Sequence, residues 1–528
     1  RQIFQASVFF ESLLDIKAGL ATGGNGGFQR RWFEVCFDTI DFKATSVADT
    51  MRNRETWYPC ESGGSFRKWY GNRDIIVNWR NDGYEIRNFR DDSGRLRSRP
   101  QNTAFFFREG ITWTKLSSSR FAVRYKNGNS IFDDTGRCAF PNTLSLHDAL
   151  PILVVGLLCS KLSFYFLGHL NPTLSFTNGD IARIPVMLDA IKEQKSRLKQ
   201  LVTAAIYISK FDWDIFEDSW DFQRHPLLVH KDGSSLEQAF NNWSDFAEEQ
   251  FQRLKANEEE LNRIFIEIYG LQDELTPEVA DEDITIRRAD RERDIRSFIS
   301  YAVGCMFGRY SLDEDGLVYA GGEFDLGRYK SFPAVEDNIL TILDDEYFDN
   351  DIVARFIDFV RVTFGPETLE DNLEFIADSL NRRASETARE TIRRYFLREF
   401  YRDHTKTYKK RPIYWLFSSP NGSFNCLIYM HRYDRDTIAR IRTDYLLPFQ
   451  DKLSAEEMQL RQLLTTDLTA REKTAANKRL GEIDKVMNEL SKYQELIHHL
   501  ANKRVEIDLD DGVAVNYAKF QNVLAKIR

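Results

Sequence analysis

In residues 57–115 aromatic, basic and amide side chains alternate with glycine turns, first as GGSFRKWYGN at 63–72 and again as GRLRSRPQNT at 94–103. Residue types in this mixture suit a polyanion. Arg and Lys neutralise phosphates and release counterions, Asn, Gln and Arg form paired hydrogen bonds to base edges, and flat aromatic faces pack on sugars or unstacked bases. Glycine turns let backbone N–H groups approach phosphate oxygens. Between positions 52 and 126 there are 16 Lys and Arg against 8 Asp and Glu, a local net of +8 in a chain whose net charge is −9. The expected nucleic-acid contacts are Arg67, Lys68, Trp69, Tyr70, Arg95, Arg97, Arg99, Gln101, Asn102 and Lys115, with arginines on phosphate or guanine and amides on base edges. Arg95, Arg97 and Arg99 alternate, so an extended segment puts all three on one face. The bland alternative is a twisted β-domain with an aromatic core and solvated arginines. For most of the 14 aromatics between positions 57 and 125 that alternative is preferred, because aromatics favour half-buried strands; for the arginines it is not.

These residues need a scaffold, and 528 residues suffice for three or four domains of ordinary size. A hydrophobic share of 42% with 29% charged residues is that of a globular protein in water. No apolar run is long enough for a membrane span, and the longest, at 150–158, is interrupted by Pro151 and Gly156. The six cysteines, at 36, 60, 138, 159, 305 and 426, show neither CxxC nor Cys/His ligand spacing, which argues against zinc and against a disulfide framework. A reducing cytoplasm is the expected location. The chain opens on Arg1 and not on Met, so an upstream portion is expected.

The pattern predicts an α+β protein: a β-rich recognition domain followed by largely α-helical domains with a late helical hairpin. A helix and glycine-rich linker are expected at 1–32, with apolar positions in 4–17 at helical spacing and GLATGGNGGFQRRW at 19–32. That linker lacks GxxxxGK[ST] and is no P-loop. Residues 33–186 read as the β-rich domain, with strands expected at YEIRNF (84–89), AFFFREGITWTKL (104–116) and FAVRYK (121–126). Within it TLSLHDALPI, 143–152, matches the one-frame translation of a common sequencing-library adapter. It is set aside from fold and site reasoning, His147 and Asp148 included, and native residues are expected to be missing around it. One buried helix is predicted at 153–170.

Residues 187–330 and 331–450 read as helical domains, the second with a small β-hairpin, and 451–528 as the helical hairpin with its C-terminal segment. Long helices are predicted at 234–269 and 291–307 from their apolar spacing. FDWDIFEDSWDF at 211–222 reads as a packed linker, and SLDEDG at 311–316 lacks the closing glutamate of a calcium loop. The arginines at 382, 383, 389, 393, 394, 398 and 402 leave room for a second phosphate contact. PIYWLF and FNCLIYM around Ser418-Ser419-Pro420-Asn421-Gly422 predict a β-hairpin, and Thr469 with Glu472 a capping box opening the last long helix.

Together GLATGGNGGFQRRWFEV, GGSFRKWYGN, NDGYEIRNF, SRPQNTAFFFREGITWTKLSS, NPTLSFTNGDIARIPV, ELNRIFIEIYGLQDELTPEV, SFISYAVGCMFGRYSLD, YKKRPIYWLFSSPNGSFNCLIYMHRY and DLDDGVAVNYAKF resemble the rear portion of the PglX family, adenine-specific DNA methyltransferases of BREX phage defence. The resemblance implies that 33–186 is a target-recognition domain for double-stranded DNA in a protein that moves a methyl group from S-adenosylmethionine to adenine N6 at a short non-palindromic site. In that family the donor pocket and the Asn-Pro-Pro-aromatic motif lie upstream of the glycine-rich linker. Asn171-Pro172-Thr173-Leu174 lacks the second proline and the aromatic, so no catalytic, cofactor or metal residue carries over to this chain. The chain alone is expected to bind DNA without methylating it. Two alternatives stand beside this: a scaffold whose acidic helices dock other BREX defence proteins, and a specificity subunit acting in trans for a separate methylase.

Overall fold

The computed structural model describes residues 7–116, 120–142, 150–171, 173 and 175–527. The chain folds as two compact units, the first built from residues 1–32, 37–222 and 242–289 and the second from 33–36, 223–241 and 290–528. Mixed helices and sheets make it an α+β protein, as expected.

Ten strands lie in the first unit: β1 (Val8–Phe9), β2 (Leu14–Lys17), β3 (Gln29–Arg31), β4 (Trp57–Glu61), β5 (Ile75–Asn78), β6 (Gly110–Thr114), β7 (Val123–Lys126), β8 (Ile131–Phe132), β9 (Gly136–Pro141) and β10 (Pro185–Val186) among the described residues. One sheet has the order β2-β9-β6-β7 and is antiparallel throughout, with Ile111 opposite both Tyr125 and Ala139. A second has the order β3-β5-β4-β8 and ends on a parallel pair, and β1 pairs with β10 in a two-stranded antiparallel sheet. Alternation along the strands sends Tyr58, Val77, Phe132 and Phe140 into one core with Trp79 and Phe106. A second core joins Trp69, Trp113 and Val123 to the helices α1 (Leu150–Cys159), α2 (Lys161–Leu170), α3 (Lys195–Asp214) and α4 (Leu236–Tyr269), through Leu158, Val202 and Phe265.

Three local expectations change. Residues 8–17 are β1, one helical turn and β2, not a helix, because Leu14 to Lys17 pair with Pro141 to Cys138 and sheet pairing overrides local spacing. Tyr84 to Phe89 do not form a strand. Asn81, Asp82 and Gly83 all take positive φ (52°, 55° and 68°), and the left-handed turn they make leads into a helical turn that buries Ile86. The single helix at 153–170 is two, bent by 71° at Ser160, whose hydroxyl bonds the Leu157 carbonyl at 2.6 Å. The adapter-like residues 143–149, His147 and Asp148 among them, and Arg1 lie outside the described residues; Leu150 opens α1. Among the described residues no single helix is long and apolar enough to cross a membrane.

In the second unit a three-stranded antiparallel sheet places Asn425–Tyr429 between Leu340–Thr341 and Tyr414–Ser418, so the hairpin forms where the Pro-Asn-Gly turn placed it. Helices Arg291–Phe307, Ile352–Phe364 and Leu369–Ser379 surround it in sequence, and Leu447–Leu463 with Ala470–Lys503 form the late hairpin, the latter opened by the Thr469–Glu472 capping box. The arginine-rich segment is largely neutralised within the unit. Arg393 grips the buried Asp351 at 2.8 and 3.0 Å, Arg394 takes Glu386 and Glu399, and Arg389 takes Glu370. In the loop at 311–316 the exposed Asp313 accepts from the Lys330 and Ser331 N–H groups at 2.7 and 2.9 Å.

Candidate nucleic-acid interface

Arg52, Arg54, Arg80, Arg108 and Arg120 are exposed one at a time, whereas 89–99 forms a short ribbon that carries several exposed cations together. Asp91 shapes its turn by accepting from the N–H groups of Ser93 and Arg95, both at 3.0 Å, and Gly94 takes φ 80° so that its own N–H reaches the Asp91 carbonyl at 2.8 Å. The Ser93 hydroxyl and the Arg95 N–H hold the Asp91 carboxyl below the ordinary carboxylate range. Across the ribbon Arg90 pairs with Leu96, and the Arg97 N–H reaches the Phe89 carbonyl at 2.9 Å. Two residues on, Arg99 exchanges hydrogen bonds of 2.7 and 3.1 Å with Ala21 in the glycine-rich linker. Gly23 explains why that linker needs glycine: at φ 73°, a Cβ would sit 2.6 Å from the Arg97 carbonyl oxygen.

This ribbon presents cations to solvent. The Arg95 side chain is 84% exposed, 3.3 Å from Asp91. Arg97 leans over the Phe89 ring at 5.8 Å, and neither Arg97 nor Arg99 has an ion pair or side-chain hydrogen bond among the described residues. Gln101 is half-buried; exposed Asn102, at φ 54°, donates to the Ala18 carbonyl at 2.8 Å. Lys115 joins the same rim by a continuous route. The Leu20 carbonyl accepts from the Asp134 N–H at 3.0 Å, and the Asp134 carboxylate lies 3.3 Å from Lys115 Nζ. The linker, the ribbon, Asn102 and Lys115 are thus linked by hydrogen bonds and an ion pair within the first unit.

Arg67, Lys68, Trp69 and Tyr70 are placed elsewhere, and the expectation that they contact a nucleic acid is corrected. They are 8%, 6%, 1% and 2% exposed. Arg67 Nη2 lies 2.6 Å from Asp212 on α3, with its Nε donating to the Tyr70 carbonyl at 2.8 Å and its guanidinium over the Trp213 ring. Glu258 on α4 takes both Lys68 Nζ and Trp69 Nε1, the latter at 2.7 Å, and the Tyr70 hydroxyl accepts from Arg73 at 3.0 Å. Burial alone would raise the Asp212 carboxyl, but Arg287 and Arg67 together hold it below its ordinary value. Burial does raise Glu258, against the opposing pull of Lys68. GGSFRKWYGN is thus a clamp that ties the sheet to α3 and α4. Gly71 belongs to it, since a Cβ there would lie 2.4 Å from Arg67 Nε.

The clamp's acids escape a reading of the basic stretch alone. One signal was present for Glu258: it sits on the inner stripe of α4 between Leu254 and Leu261, where a carboxylate is out of place without a cation. Three further cations of the stretch, Arg73, Arg124 and Lys126, are also interior. Lys126 donates to the carbonyls of Arg108, Asn127 and Ser130 at 2.8, 3.1 and 2.8 Å, and burial lowers the pKa of both Lys126 and Arg124.

No protein-family profile matches the chain. It is similar to two curated proteins along nearly its whole length. One is the adenine-specific methyltransferase PglX of Lacticaseibacillus casei (strain Zhang), 43% identical over 525 residues, which cover 98% of this chain and 43% of that protein. The other is the adenine-specific methyltransferase BrxX of Escherichia coli O9:H4 (strain HS), 37% identical over 540 residues, covering 97% of this chain and 43% of the relative. The chain therefore spans less than half the length of the curated relatives it matches.

Proposed function

We propose that this chain is the DNA-reading and carboxy-terminal part of a site-specific adenine-N6 DNA methyltransferase of the PglX type, acting in BREX phage defence with other proteins of that system. The observation that carries the reading is the pair of unneutralised, solvent-facing guanidinium groups of Arg97 and Arg99, in a chain 43% and 37% identical to adenine-specific methyltransferases. In this reading Arg95, Arg97, Arg99 and Lys115 hold phosphates, while Gln101 and Asn102 sit close enough to meet base edges. The duplex is positioned by the rim and the reacting adenine is handled by other parts of the enzyme.

S-adenosylmethionine is the methyl donor this reading requires, and the described residues do not fit it. The glycine-rich segment that would have to cradle it is closed at Gly23 by the Arg97 carbonyl and precedes a helix of only four residues, Asn25–Phe28. No methyl-transfer step is assigned to this chain.

Fluorescence anisotropy with a labelled duplex, at several salt concentrations, tests the reading. Each phosphate contact contributes about 0.9 to the slope of log affinity against log salt, so Arg95→Ala/Arg97→Ala/Arg99→Ala should lower that slope by about 2.7. An unchanged slope, or no DNA binding by the parent chain, would refute it.

A further inference from the structure

The ribbon at 89–99 carries a charge pattern that simple phosphate binding does not need. Its stem is basic, with Arg90, Arg95, Arg97 and Arg99, but its tip carries Asp91 and Asp92. Asp91 is consumed by the turn, accepting from Ser93 and Arg95. Asp92 is different: it is exposed and has no partner among the described residues. A free carboxylate at the leading end of a basic ribbon is repelled by a phosphate backbone. It is matched by amino groups, which a duplex presents only at its base edges.

Resting on the DNA-reading role proposed above, we propose that the 89–99 ribbon enters the major groove, with Asp92 accepting a hydrogen bond from an exocyclic base amino group, cytosine N4 foremost, while the arginines of the stem face the flanking phosphates. Asp92 is then a specificity-determining residue. Three features support the geometry. A two-stranded ribbon, with strands about 5 Å apart plus side chains, fits a groove about 12 Å wide and not one about 6 Å wide. The tip is unobstructed, since Ser93, Gly94, Arg95 and Leu96 are exposed and a Cβ at Gly94 would meet nothing within 4 Å. The ribbon's base is anchored by Arg99 on Ala21 and by the Ser98 hydroxyl on the Ile86 carbonyl, so its tip is aimed by backbone pairing.

The test is selection of bound sequences from a randomised duplex library by the whole chain and by its Asp92→Ala and Asp92→Asn variants, alongside the salt slope of each. The parent chain should prefer cytosine, or adenine, at one position. Asp92→Ala should reduce that preference at least about fivefold without lowering the salt slope, because no phosphate contact is lost. Asp92→Asn should move the preference towards adenine, whose N6 and N7 match a carboxamide. Unchanged base preference in Asp92→Ala with DNA binding intact would overturn the inference and leave the DNA-reading role standing. A fall in salt slope would overturn it too, by making Asp92 a support for phosphate contacts. Absence of DNA binding by the parent chain would remove both.

Discussion

Replacing Lys68 by methionine separates an interior clamp from a DNA contact. The Lys68 and Glu258 side chains are 7% and 4% exposed, so Lys68→Met keeps the apolar stem and leaves the Glu258 carboxylate with the Trp69 Nε1 hydrogen bond but without its cation. Breaking a buried pair on one side costs about 3–5 kcal/mol. The carboxylate has one escape, which is to bind a proton. From an ordinary pKa of 4.5 that costs about 3.4 kcal/mol at pH 7 and about 0.7 kcal/mol at pH 5. The expected loss is therefore about 3 kcal/mol at pH 7 and about 1 kcal/mol at pH 5. The sign follows from a folded-state pKa raised above the unfolded one: stability is retained below the unfolded pKa and lost as pH rises towards the folded pKa. Urea unfolding followed by tryptophan fluorescence at both pH values reads this directly, and adding Glu258→Leu should recover most of the loss. A loss below about 1 kcal/mol at pH 7, or a reduced DNA salt slope with stability intact, would refute the burial argument and return Lys68 to the DNA-contact set.

Two other outcomes follow from the same geometry. Gly23→Ala should cost about 1–3 kcal/mol in urea unfolding and weaken DNA binding measured by anisotropy, since it forces an L-residue to φ 73° against the Arg97 carbonyl and shifts the ribbon. In the second unit His225, His404 and His431 are buried with pKa values pushed down to about 3 by desolvation, and the His404 Nε2 accepts from the Tyr414 N–H at 3.0 Å, a role open only to neutral imidazole. Their folded pKa values lie below the ordinary 6.5, so the unfolded chain binds more protons and stability falls as pH drops from about 6.5 towards 3. Each histidine should cost on the order of 2 kcal/mol at pH 5, seen as a falling thermal midpoint; a midpoint flat between pH 7 and 5 would contradict their burial.

What could be read without coordinates was whatever the chain encodes over a few turns. The helices Arg291–Phe307 and Ala470–Lys503 announce themselves by apolar spacing and caps, and the hairpin at 414–429 by its Pro-Asn-Gly turn. Residues 84–89 misled because a strand-like alternation was outweighed by three consecutive left-handed residues, and 8–17 because its partner strand, β9, lies over a hundred residues away. The exposed cations of the rim were legible as a basic alternation; the identity of those that stay exposed was not.

An α+β protein with a basic stretch in an acidic chain, a glycine-rich linker and a long resemblance to adenine methyltransferases can all be read from the order of residues alone. Only the tertiary structure divided that basic stretch in two. Arg67 and Lys68 are drawn inside by Asp212 and Glu258, 145 and 190 residues away, while Arg97 and Arg99 find no carboxylate among the described residues and remain in solvent. The reason is electrostatic: a cation is buried where the fold delivers an opposite charge and left in water where it does not, and that delivery is a property of distant segments brought together.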